Sequence, residues 1–143
     1  NLSRIPVLGP ERAVRELVRP GWEAFCGEAF ERLCREAIPF LHAEEKVAAS
    51  VTVGEYWAKD VQIDVVALRD DHCIELGECK WGAVKSSVAL RAELAAKVPA
   101  FPNRRGQTLR LRYFTRERVR PAAAPAGTPP ETWHHLAALY GGK

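Results

Sequence analysis

The sequence predicts an α/β fold, a central mixed sheet flanked by helices, and three observations predict it. An apolar stripe at helical spacing runs from Trp22 to about Leu41. Two strand-like runs, Val61–Leu68 and Cys73–Cys79, are joined by a polar turn at Arg69–His72. After Trp81–Gly82 the pattern turns helical again and then alternates over residues 107–115. With Val51–Trp57 read as a further strand, the expected order is helix, strand, strand, strand, helix, strand.

In chain order, residues 1–9 show no period and read as an extended lead-in. Pro10 suits a first helical turn, and Ala13, Val14, Leu17 and Val18 then share a face, with a stop at Pro20–Gly21. The next helix carries Trp22, Phe25, Cys26, Ala29, Phe30, Leu33, Cys34, Ala37 and Leu41 on its stripe, with Glu28, Glu31, Arg32 and Arg35 on its flanks. Residues 42–49 fit either helix continuation or loop. Val61–Leu68 is apolar on both faces, as a strand covered on both sides must be.

Ser86 or Ser87 caps the following helix, whose apolar positions are Leu90, Leu94, Val98 and Phe101. Lys85 and Lys97 on this segment read as solvated. Over 107–115, Leu109, Leu111 and Tyr113 fall on one face and Arg110 and Arg112 on the other, the pattern of a half-exposed strand. Pro121–Pro130 is a Pro/Ala linker. Glu131–Tyr140 reads as a short final helix docked through Trp133, Leu136 and Tyr140. The expected organisation is one domain over 1–120, with linker and helix over 121–143 docked on it.

Composition bounds the function. At 143 residues, 47% hydrophobic and 27% charged, the chain suits one globular domain with a real core. No apolar run is long enough to span a bilayer and nothing resembles a signal peptide, so no membrane and a cytoplasmic location are expected. Cys26, Cys34, Cys73 and Cys79 lack C-x-x-C spacing and sit in apolar patterns, which favours buried free thiols over zinc ligands or disulfides. His134–His135 lacks a partner at ligand spacing. The chain contains no Met, which suggests a piece of a longer protein. The net charge of +3 is uneven: Arg104 to Arg120 holds seven arginines and one acid, Glu117.

The chemistry concentrates in residues 56–81. Asp64 lies inside IDVVAL, and Glu78 and Lys80 close the second run on one strand face, with Cys79 on the other. If Arg69 pairs opposite Cys73, Asp64 lies opposite Glu78 and Gln62 opposite Lys80; a slip of one residue puts Asp64 on the far side. In the first register the two carboxylates have Cβ atoms about 5 Å apart, unfavourable without a cation between them. A hard ion such as Mg²⁺ takes oxygen ligands of this kind. The bland alternative is a hairpin with a surface Glu78–Lys80 ion pair and an Asp64 satisfied by backbone.

Asp64, thirteen residues, then Glu78-Cys79-Lys80 resembles the signature of the PD-(D/E)XK nucleases, the restriction-endonuclease-like superfamily. The element order is similar to that superfamily's α-β-β-β-α-β core. More narrowly, GEAFERLCREAIPFL, EYW, IDVVAL and GECKW resemble the nuclease-like domain at the C-terminus of many archaeal and bacterial AAA-type ATPases, over about Pro10 to Thr115. Ile63 stands where the motif has proline. No P-loop occurs, so the resemblance implies an ATPase module elsewhere in the full-length chain.

The resemblance implies that Asp64, Glu78 and the backbone carbonyl of Cys79 hold Mg²⁺ or Mn²⁺. It further implies a helix acid reaching that ion: Glu31, with Glu28 as substitute. Lys80 would orient the attacking water and Gln62 would position Lys80. The expected activity is endonucleolytic hydrolysis of DNA, with Arg104, Arg105, Arg110 and Arg112 as candidate phosphate contacts. A homodimer would suit cutting of both strands. The alternatives are a non-catalytic nucleic-acid-binding module and a protein-interaction domain of the ATPase.

Overall fold

The structure, a computed structural model, describes residues 10–140, so the lead-in expected over residues 1–9 lies outside the described residues. Helical winding is continuous from Pro10 to Glu44: α1 (Pro10–Ala13), a π-helical turn at Val14–Val18, and α2 (Arg19–Glu44). The stop expected at Pro20–Gly21 is absent. Pro20 sits in the first turn of α2, where a missing N–H costs least, directly after a turn whose bonding is already irregular.

Only the second half of α2 meets the sheet. Phe30, Cys34, Ala37, Ile38 and Leu41 are buried, whereas Trp22 and Phe25 are 60% and 59% exposed. Those two rings stack on each other at 5.6 Å instead. Helical spacing shows which residues share a face, but not whether another element extends far enough to cover it.

The sheet has five strands in the order β1 (Val51–Ala58), β2 (Val61–Arg69), β3 (Cys73–Lys80), β4 (Thr108–Thr115), β5 (Glu131–His135). The first three form an antiparallel meander, and β3–β4 and β4–β5 are parallel. Between β2 and β3 lies a three-residue turn whose last residue, His72, takes a left-handed φ of 64°. A parallel partner for β3 requires a crossover, and α3 (Ser87–Lys97) supplies it, capped where Ser86 Oγ accepts the Ala89 N–H at 3.0 Å.

The sheet is sandwiched between the two long helices. On one face Val65, Ala67 and Phe114 pack against α2; on the other Ile63, Val66, Ile74, Leu76, Leu111 and Tyr113 pack against Leu90 and Leu94 of α3. This is the expected α/β architecture with one strand more. The helix expected over Glu131–Tyr140 starts as β5 and only then makes the single turn α4 (Leu136–Leu139). Trp133 stacks on Tyr113 of β4 with centroids 4.3 Å apart, and Thr132 and His134 on the opposite face reach Arg112. Both faces of the segment therefore have partners on β4, which a strand satisfies and a helix does not. No helix among the described residues is long and apolar enough to cross a membrane.

Candidate active site

Asp64, Glu78 and Lys80 meet at one end of the sheet because of the β2–β3 register. The pairs Val65↔Gly77, Val66↔Leu76, Ala67↔Glu75 and Leu68↔Ile74 all sum to the same number, and the next step of the count puts Asp64 opposite Glu78. Gln62 lies beyond a bulge that shifts the faces of β2, so the count does not carry it to Lys80. The slipped register is excluded. A second device acts on Asp64. In the β1–β2 ladder Gly54 pairs with Val66 and Tyr56 with Ile63, so Glu55 alone faces both Asp64 and Val65.

Such a bulge bends its strand and re-aims a side chain. It lets Ile63 and Val66 both pack towards α3. It also turns the Asp64 carboxylate into the gap between β2 and β3, where Oδ2 accepts the Cys79 N–H at 2.9 Å. On the α2 side Arg35 braces this corner, donating to the Asp64 carbonyl oxygen at 2.9 Å.

Glu78 lies on the α3 side with Leu76 and is 6% exposed. Both of its carboxylate oxygens accept from Lys97 Nζ, at 2.9 and 2.8 Å. Burial pushes the Glu78 carboxyl up to about 7; Asp64 adds to the rise and Lys97 opposes it. Asp64, 5% exposed, is raised by burial against the Cys79 N–H, Lys97 and Arg35. On α2, Glu31 is raised by burial first and by the Asp64 charge second. Asp64 therefore stands between two carboxylates, each of which feels its charge. Glu31 rather than Glu28 is the helix acid turned to this corner: Glu28 is exposed.

Among the described residues no three His, Cys, Asp or Glu side chains converge closely enough to hold a metal ion. The donor set fits a looser arrangement. Asp64, Glu78 and the Cys79 carbonyl are hard oxygen ligands, and Mg²⁺ or Mn²⁺ needs only one or two carboxylates with water completing its shell. The Lys97 ammonium already sits where a cation balances Glu78. Lys80 points outward, with its side chain 42% exposed and its Nζ 3.9 Å from Glu93. Gln62 is partly buried.

Of the expected arginine face, Arg112 is corrected. It is 1% exposed and donates to Glu75, to Glu45 at 2.8 and 2.5 Å, and towards His134 Nε2 at 3.1 Å. Burial alone would raise Glu75, but the Arg112 hydrogen bond and charge bring its carboxyl below the usual value. Arg112 is thus an internal counter-ion and touches no phosphate. Arg104 and Arg105 are exposed and Arg110 is partly so. All three lie near the start of β4, which pairs with Cys73, the end of β3 away from Glu78.

Sequence reasoning missed Lys97, Arg35 and Arg116. Lys97 lies three residues after Leu94, on the edge of the buried stripe of α3, and that position was a usable signal. Arg116 follows β4, and only the parallel pairing Lys80↔Thr115 brings it to the motif. The four thiols are unpaired.

A family model, DUF234, described as archaea bacterial proteins of unknown function, matches residues 2–92. That span includes Glu31, Asp64, Glu78 and Lys80. No curated protein matches the chain.

Proposed function

We propose that this chain, which belongs to that family of archaeal and bacterial proteins of unknown function, is a metal-dependent endonuclease domain that hydrolyses DNA phosphodiester bonds. The observation that carries the reading is the strand register that sets Asp64 opposite Glu78, with Lys80 two residues on along the same strand. Burial of two carboxylates that repel each other is unfavourable unless a cation compensates them. The likeness to nuclease-like domains of AAA-type ATPases supports placing the domain in a larger ATPase chain.

In this reading Asp64, Glu78 and the Cys79 carbonyl, with Glu31 from α2, would hold Mg²⁺ or Mn²⁺. The cation supplies Lewis-acid stabilisation of the charge that builds on the phosphate oxygens. The chain's own residues do the rest. The Cys79 N–H fixes the Asp64 carboxylate, and Arg35 fixes the backbone that carries it. Lys80, half exposed at the strand end, orients the attacking water and offsets charge on the departing oxygen. Lys97 neutralises Glu78 through both of its carboxylate oxygens.

One observation favours the second reading, a nucleic-acid-binding or protein-interaction domain without hydrolysis. Lys97 engages both oxygens of Glu78, so the acid is already satisfied as a structural ion pair. Cleavage of labelled single-stranded, duplex and branched DNA with Mg²⁺ or Mn²⁺ separates the two. We expect cutting by the parent and a loss of at least a hundredfold in folded Asp64→Asn and Lys80→Ala proteins. Intact binding without cutting would leave the second reading in place.

A further inference from the structure

Of the seven arginines between 104 and 120, Arg110 and Arg112 lie within β4 and the other five divide between its two ends. Because β3 and β4 are parallel, with Cys73 opposite Thr108 and Lys80 opposite Thr115, the two groups cannot serve the same site. At roughly 3.3 Å per residue, the start of β4 at Thr108 lies about 16 Å along the sheet from Tyr113, the partner of Glu78, and Arg104 and Arg105 precede that start. Arg116, Arg118 and Arg120 follow the other end. The Arg116 N–H donates to the Lys80 carbonyl at 3.3 Å, which makes Arg116 the motif lysine's immediate neighbour.

The ground around Arg116 is shaped. Its guanidinium lies 5.1 Å over the ring of Trp81, the residue after Lys80, and Trp81 is itself held against Phe30 of α2 at 5.6 Å. A trough of about 200 Å³ opens beside it, lined by Gly82, Ala83, Arg116 and Arg118 and, as its one acid, Glu117. Arg118 and Val119 also line an adjoining trough of about 350 Å³ that runs on past Thr115 to His135. The acids close by are Glu117, which is 85% exposed and 4.0 Å from Arg116, and Glu93 beside Lys80. An exposed pair at that distance contributes little and leaves the guanidinium free to bind elsewhere.

We propose that this trough, at the C-terminal ends of β3 and β4, seats the phosphodiester backbone of a nucleic-acid strand, with Arg116 and Arg118 on its phosphates. The proposal rests on the nucleic-acid reading above and names the surface by which the strand reaches the site. Lys97 and Arg35 do no more than offset the acids at Asp64, Glu78 and Glu31, so further cations beside the site make the ground around it attractive to a polyanion. A planar guanidinium held on an indole is pre-oriented for the two parallel hydrogen bonds that a phosphate accepts. Gly82 and Ala83 in the trough's lining carry little side chain, so a sugar–phosphate chain can lie close.

The test separates binding from hydrolysis by using the Asp64→Asn protein throughout. Fluorescence anisotropy with an end-labelled oligonucleotide, single-stranded in one arm and duplex in the other, is followed over a salt series. Adding Arg116→Ala with Arg118→Ala should weaken binding at least tenfold. It should also shrink the slope of log affinity against log salt by about 0.7 to 0.9 for each phosphate that is no longer neutralised. Arg118→Glu alone, an exposed position where folding is not at stake, should cost tenfold. Arg104→Ala with Arg105→Ala should change affinity less than twofold.

Unchanged affinity in both the Arg116/Arg118 and the Arg118→Glu proteins overturns the seat. So does a loss that follows Arg104 and Arg105 instead, and so does absence of binding by every protein. If the parent binds in the expected pattern and never cuts, the nuclease reading fails and the seat stands.

Discussion

Glu78 and His134 are displaced from their ordinary values in opposite directions. Burial raises the Glu78 carboxyl from 4.5 to about 7. Between those values the folded chain keeps a proton that the unfolded chain has released, so stability from this group falls as pH rises. Burial, helped by the Arg112 charge, lowers His134 from 6.5 to about 4. Over that window the unfolded chain holds a proton that the fold rejects, so stability from this group rises with pH. Each amounts to something on the order of 3 kcal/mol, and over pH 4.5 to 6.5 they offset one another. Urea denaturation of the parent and of Glu78→Gln across that range separates the two. Glu78→Gln should expose the His134 slope, gaining stability towards neutral pH. Parallel profiles in the two proteins would mean that Glu78 carries no such proton.

At the scale of elements, Gly77 on β3 faces Val65 of β2 with no room for a side chain. A Cβ there would lie 2.9 Å from Val65 Cβ and 3.2 Å from Phe114 Cε2. The Val65 atom is fixed to its backbone, so the strands would have to part. Gly77→Ala should cost roughly 1 to 3 kcal/mol and weaken the Asp64–Cys79 hydrogen bond next to it. Gly54→Ala, with nothing within 4 Å, should fall within about 0.5 kcal/mol of the parent by thermal denaturation. The meander was legible in the sequence from its apolar runs and short polar turn, whereas its register was not, because Val61–Leu68 is apolar on both faces and either pairing keeps apolar residues inside. β5 was not legible: Trp133, Leu136 and Tyr140 fall at helical spacing, and the partner that makes a strand of Glu131–His135 lies across a long linker. The exposure of Trp22 and Phe25 was hidden for the related reason that a stripe does not state its cover.

At the scale of the whole molecule, Arg112 joins pieces distant in the chain: Glu45 after α2, Glu75 on β3, and Thr132 and His134 on β5. Arg69 and His42 complete the same cluster, at 3.1 and 2.5 Å from Glu75. Removing the central cation leaves Glu75 buried with too little compensation. Arg112→Ala should destabilise by about 3 to 5 kcal/mol by chemical denaturation, and Arg110→Ala by little. The motif acids and Lys80 could be read from the sequence because they lie on neighbouring strands joined by a short turn. Arg116 could not, because only a parallel pairing brings it there, and Lys97, though marked by its place beside Leu94, reaches Glu78 only through the crossover.

That division has a consequence in time. β1, β2 and β3 join through turns of a few residues, whereas β4 and β5 must each close a long loop before any ladder bond rewards it. The meander is the natural folding nucleus, so Asp64 and Glu78 face each other early, before the arginines of β4 arrive beside them. On a chain that emerges from the ribosome N-terminus first, the acidic half of the site is assembled while the basic half is still being made.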